Sequence, residues 1–186
     1  MDEKILLLPI EPRVLSRASI FAIISFVSFF IPFFIGHPQW VVGAIVNAGL
    51  FLSAIFFSKK YFLPIAIFPS LGVLARGLVF GPFTPLLIYF LPFVWLGNII
   101  LIQIFLFLFS VNKEGVYFYS VFFASAVKFV FLFLIANIYF KLSIVPALFL
   151  QTMGLNQLAT ALAGGLLSFL IFKLYGKFIS RIKRAG

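Results

Sequence analysis

Six apolar runs, roughly residues 18–35, 41–57, 61–79, 85–110, 116–140 and 147–175, occupy almost the whole chain. Each is near the ~20 residues that cross a bilayer core as a helix. The breaks are short: Gly36-His37-Pro38-Gln39, Ser58-Lys59-Lys60, Gly81-Pro82-Phe83-Thr84-Pro85, Val111-Asn112-Lys113-Glu114-Gly115 and Lys141-Leu142-Ser143. The pattern predicts an all-α polytopic membrane protein, a six-transmembrane-helix bundle with sequential helices as antiparallel neighbours. The second and third runs are short, as expected of helices that tilt or pack inside the bundle. Pro92 predicts a kink in the fourth. The stretch Gln151-Thr152-Met153-Gly154-Leu155-Asn156-Gln157 predicts a locally polar or unwound segment in the sixth. The chain divides into an N-terminal arm (1–17), the helical domain (18–176) and a basic tail (177–186). The arm opens Met1-Asp2-Glu3-Lys4, and its apolar run Ile5 to Ile10 is too short for a signal peptide. Pro12 is suited to the first turn of a helix. The two halves show no sequence duplication, so an inverted-repeat carrier is not indicated.

Composition supports lipid as the main solvent. Of 186 residues, 64% are hydrophobic and 10% charged, with mean hydropathy +1.24. Soluble domains carry about 25% charged residues. There is no cysteine, which excludes disulfides and thiolate metal sites. The net charge of +10 follows membrane topology rather than a nucleic-acid surface, because the basic residues sit at the ends of apolar runs. With the N-terminus in the cytoplasm, Lys4, Arg13, Arg17, Lys59, Lys60, Lys113, Lys173, Lys177, Arg181, Lys183 and Arg184 share the cytoplasmic side. Arg76 and Lys141 alone face outward, and Lys128 lies within the fifth span. This bias favours six spans with both termini cytoplasmic, in the cell membrane.

The polar inventory narrows the chemistry. The four acids, Asp2, Glu3, Glu11 and Glu114, all fall outside the spans. Proton- and cation-coupled carriers place carboxylates in the membrane, so uphill transport would draw its energy from elsewhere. His37 is the single histidine, a turn residue beside Pro38 and Trp40. Without cysteine or a nearby acid it makes neither a metal site nor a catalytic triad. No cofactor is indicated and an enzyme is the weakest reading.

Lys128 is placed unusually. Counted from residue 116, it stands ~18 Å up the fifth helix at ~1.5 Å per residue. That is too deep to snorkel easily from a ~30 Å core. A cation there has to face the bundle or a wet cavity. A bound anion is one partner for it. Helix carbonyls, a neutral amine or a later start of the span are the alternatives. Arg76, near the outer end of the third run, is a lesser candidate of the same kind. Trp95 and Asn98 share a face of the fourth run at i and i+3. Asn137 lies in the fifth run. Gln151, Asn156, Gln157 and Thr160 cluster in the outer half of the sixth. Singly, such residues are expected to hydrogen-bond between helices. As a group on spans four to six they outline a pocket in which Lys128 meets an anionic group and Trp95 covers the apolar part of a ligand.

Small residues recur at four-residue spacing: Ala18 and Ala22 in the first run, Ala44 and Ala48 in the second, and Ala159, Ala163 and neighbouring Gly164 in the sixth. This spacing permits close helix approach. Packing within the bundle accounts for the second and sixth. The first pair lies at the cytoplasmic end, beside Arg17 and ahead of the bulky run Phe26 to Phe34.

Six helices, both ends inside, this length, and Ala18-x-x-x-Ala22 in the first helix resemble the substrate-binding S-component of energy-coupling-factor transporters. The region Gly77 to Pro85, with Phe80-Gly81-Pro82, resembles the family's third loop. The resemblance implies that Ala18 and Ala22 dock onto a membrane-embedded coupling subunit that carries two ATPases. It also implies that a small-molecule substrate, usually a vitamin or metal ion, is held toward the outside by helices four to six. Here that binding role would pass to Trp95, Asn98, Lys128, Asn156 and Gln157. The family's metal-binding branch has an N-terminal histidine, which Met1-Asp2 does not supply, so nickel and cobalt are disfavoured. The expected function is the binding subunit of an ATP-driven importer for a small organic, anionic or vitamin-like substrate. The alternative is a non-transporting membrane scaffold, which explains a buried Lys128 least well.

Overall fold

A computed structural model describes residues 16–35, 37–77, 81–111 and 116–185. Residues 1–15 of the N-terminal arm, including Pro12, and the acidic residues lie outside these segments, as do residues 78–80 of the Gly77–Pro85 loop. The described residues are helical, with no strand: α1 (Arg17–Phe34), α2 (Gln39–Phe56), α3 (Phe62–Arg76), α4 (Leu91–Val111), α5 (Tyr117–Lys141), α6 (Leu148–Thr152) and α7 (Leu155–Ala185). Short 3-10 segments, Lys59–Tyr61 and Gly81–Phe90, lead into α3 and α4. Segments Gln39–Phe56, Thr84–Ser110, Tyr117–Lys141 and Leu148–Phe178 are long and apolar enough to cross a membrane, and Ala18–Phe34 is a shorter apolar helix.

Local chemistry sets several boundaries. Ser16 caps α1, its hydroxyl accepting from Ser19 N–H at 3.1 Å. At the C-cap of α3, Gly77 has φ +80°, a left-handed conformation that glycine adopts without a Cβ penalty. Pro92 sits in the first turn of α4. There its missing N–H breaks no helical bond. The irregularity of the fourth run lies just before Pro92, where the 3-10 segment ending at Phe90 gives way to α-helix. The expected break in the sixth run is present. Helix α6 stops at Thr152, Met153 and Gly154 form a turn, and α7 starts at Leu155. A side chain at 154 would collide with Leu150 O and approach the Phe133 ring to 2.9 Å. Helix α7 then runs unbroken past residue 176 into the basic tail.

Helix α2 is the centre of the bundle, packing against α1, α3, α4 and α7. Its span is 56% buried, against 28–33% for the other long spans. The short second run thus packs inside the bundle, one of the two expectations for it. Position 43 faces Thr160, position 164 faces Asn47, and the Phe56 and Tyr175 rings meet at 5.4 Å. The order is the same on both helices, so α2 and α7 are parallel. This puts Lys59 and Lys60 at the same end of the bundle as Lys173 and Lys177. The expected small-residue packing of the second and sixth runs is seen at Gly164, where an added Cβ would lie 2.6 Å from Asn47 Cβ and 2.8 Å from Ala44 O and Ala48 N. Ala159 and Ala163 face outward instead.

Two apolar clusters separate along the bundle axis. One joins Phe51, Phe105, Tyr117 and Val121 toward the basic end. The other joins Phe90, Leu132, Ala136 and Phe149 toward the opposite end.

Candidate functional site

Helix α5 buries one stripe, Tyr117, Val121, Ala124, Lys128, Leu132 and Ala136, the three- and four-residue steps of a single helix face. Lys128 belongs to that stripe and is 2% exposed. It points into the bundle rather than out of it. Its Nζ donates to Asn47 Oδ1 and Asn98 Oδ1, both at 2.8 Å. Each carboxamide is held in turn by its own NH2. Asn47 Nδ2 donates to Gly43 O at 2.8 Å and to Thr160 Oγ1 at 3.4 Å. Asn98 Nδ2 donates to Ala66 O at 2.9 Å. These backbone acceptors fix which end of each amide faces the lysine. The network joins α2, α3, α4, α5 and α7 in one polar layer. A buried lysine amine is tolerable when hydrogen-bonded in this way.

The layer floors a cavity of about 760 Å³. Its walls are apolar, with Val46, Pro69, Val73, Phe90, Leu91 and Val94. Its mouth carries polar groups from the 37–40 turn and the α6–α7 break: His37, Gln39, Gln151, Asn156 and Gln157. His37 and Trp40 are exposed at this end, which is opposite the lysines at 59, 60, 173 and 177. The α6–α7 break brings the carboxamides of Gln151, Asn156 and Gln157 to the rim.

The expected site residues divide. Lys128, Asn98, Asn156 and Gln157 come together around this cavity, and Gln151 and Thr160 join them. Trp95 does not line it. On α4 the cavity stripe is Leu91, Val94 and Asn98, and a three-residue step leaves Trp95 ~60° round the helix from Asn98. Its indole Nε1 is buried without a partner. Arg76 also lies elsewhere. Its Nη1 donates to Phe33 O at 3.2 Å and Phe34 O at 2.8 Å, tying α3 to the end of α1. A cation is favoured there because the last helix carbonyls carry partial negative charge. Asn137 donates to Phe133 O on its own helix at 2.8 Å.

Sequence reading missed Asn47 as a site residue. The available signal was a lone carboxamide inside the Ala44-x-x-x-Ala48 stretch, where it cannot be hydrated in lipid. His37, read as a turn residue, lines the mouth.

Ala18 and Ala22 are exposed on α1. They continue at four-residue steps into Phe26, 59% exposed, and Phe34, 69% exposed. Rings 26 and 30 pack at 4.2 Å and rings 30 and 34 at 5.7 Å. One face of α1 is therefore small-sided at the basic end and aromatic at the other.

The chain matches no protein-family model, no curated protein and no solved structure. Among the described residues no cluster of His, Cys, Asp or Glu could hold a metal.

Proposed function

We propose that this protein is the membrane-embedded substrate-binding subunit of an ATP-driven importer of the energy-coupling-factor type. It spans the cell membrane six times with both termini in the cytoplasm. Its substrate is a small organic molecule, anionic or vitamin-like. The observation that carries the reading is Lys128, buried at the floor of a cavity that reaches the end of the bundle away from the basic clusters. With basic residues inside, that mouth faces the exterior, as uptake requires. A non-transporting scaffold, the alternative, needs neither a cavity nor a buried cation. The direct test is mass spectrometry of small molecules released from protein purified out of a vitamin-containing host. A protein that carries no small molecule and binds none counts against the reading.

Topology is open to cysteine labelling, because the native chain has no cysteine. A cysteine introduced at Arg181 should react only after the membrane is permeabilised. Labelling of intact cells there would defeat the six-span arrangement.

The partner is a coupling subunit bearing two ATPases, docked on the Ala18–Ala22 face. Both side chains point away from the bundle, so Ala18→Leu and Ala22→Leu should leave folding intact while blocking close approach of a partner helix. Unchanged co-purification of a coupling subunit with both variants would rule the docking face out.

A further inference from the structure

We infer that the cavity selects a ligand with a single anionic group, a carboxylate, which enters first and sits against Lys128, while the uncharged body lies along the apolar walls. This rests on the ligand-binding reading above and adds the head-group class and the orientation.

A lysine ammonium has three N–H donors and no acceptor. Two are used on Asn47 Oδ1 and Asn98 Oδ1, and both oxygens are neutral. Asn47 and Asn98 therefore orient the cation without cancelling its charge. The acids of the chain, Asp2, Glu3, Glu11 and Glu114, are all outside the described helices. Among the described residues nothing takes the third N–H or balances the charge, and both are left for something in the cavity, which Lys128 lines.

The count of charges limits the ligand. Among the described lining residues Lys128 is the only Lys or Arg. One carboxylate brings one negative charge and balances it. A phosphate monoester brings about −1.5 to −2, so part of its charge would remain unpaired in an apolar enclosure, which is strongly unfavourable. A second carboxylate elsewhere on the ligand would meet the same objection. The mouth offers carboxamides and His37, which suit neutral polar groups. The walls between, such as Val73, Phe90 and Val94, offer no hydrogen bonds and suit an apolar body. Polarity thus runs from charged floor to apolar wall to neutral rim, and a ligand following that order fits in one direction only.

The test uses the full-length chain in detergent and titration calorimetry with three probes that share one body: 5-phenylpentanoate, its primary amide, and 5-phenylpentyl phosphate. The carboxylate should bind at least tenfold more tightly than either other probe. The variant Asn98→Asp places a carboxylate beside Lys128 with almost no change of shape. It should abolish the preference for carboxylate over amide, and Asn47→Asp provides the same change from α2 if the first variant folds poorly. Equal binding of amide and carboxylate, tightest binding of the phosphate, or binding of no probe would overturn the inference. So would a preference that survives in a folded aspartate variant. A chain that shows the carboxylate preference yet associates with no coupling subunit would refute the importer reading and leave this inference standing.

Discussion

Lys128→Met should remove ligand binding while leaving a folded protein. Methionine keeps the length and apolarity of the side chain and deletes only the ammonium. A hydrogen bond to a charged group is worth about 1.5–3 kcal/mol, and together with the loss of charge pairing the affinity should fall by about 100-fold. The substitution leaves Asn47 Oδ1 and Asn98 Oδ1 without their donor, but both residues line the cavity, where water can replace the ammonium. The apo protein should therefore stay folded with little change in stability, because the loss of the two Nζ hydrogen bonds is offset by no longer burying an ammonium without a counter-charge. The measurement is the amount of small molecule that co-purifies with the variant, set beside its unfolding midpoint in detergent. A variant that keeps its ligand, or one that fails to fold, would make Lys128 structural.

Gly164→Ala should be the more damaging change to the fold. A single added Cβ would sit 2.6 Å from Asn47 Cβ and 2.8 Å from Ala44 O and Ala48 N. Two of these three atoms belong to backbone and cannot rotate away. Helix α7 has to move off α2, and overpacking of this kind costs about 1–3 kcal/mol. Because Asn47 holds Lys128, the same shift should weaken ligand binding as well. Gly176→Ala, on the same helix, meets nothing within 4 Å and should be neutral or gain about 0.5–1 kcal/mol from helix propensity. Unfolding midpoints of both variants, measured in one detergent, make the comparison. Equal stability of the two would show that α2 and α7 are not in close contact at Gly164.

The two substitutions mark different sources of information. Helical structure was legible because each apolar run is long and bounded by Gly, Pro or charged residues. In lipid, unsatisfied backbone polar groups leave helices as the simplest outcome for such runs. The break at Met153-Gly154 was legible from a concentration of polar residues inside an apolar run. Lys128 was legible because a charge near the middle of a 25-residue helix needs a partner.

What the sequence did not reveal was facing. A soluble helix shows its core side by contrast with polar residues on the other. Helix α5 is apolar all round, with Phe122, Val130 and Leu134 exposed while Val121, Ala124 and Leu132 are buried. Nothing in such a pattern says which side meets protein. Trp95 therefore looked equivalent to Asn98, and only the packing of α4 showed that Val94 and Asn98, not Trp95, share the cavity. Arg76 looked like a site cation until α1 ended beside it. Asn47 became a site residue only because α2 lies at the centre, against α7 and within reach of Lys128. The sequence by itself determined the helices, their limits except at the 3-10 start of the fourth run, the end of the third and the C-terminal extension of α7, and the need to satisfy one buried lysine. Tertiary structure decided which neutral side chains satisfy it. Helix neighbours in an apolar medium are chosen by close packing and polar pairing between distant segments, and neither leaves a local pattern along the chain.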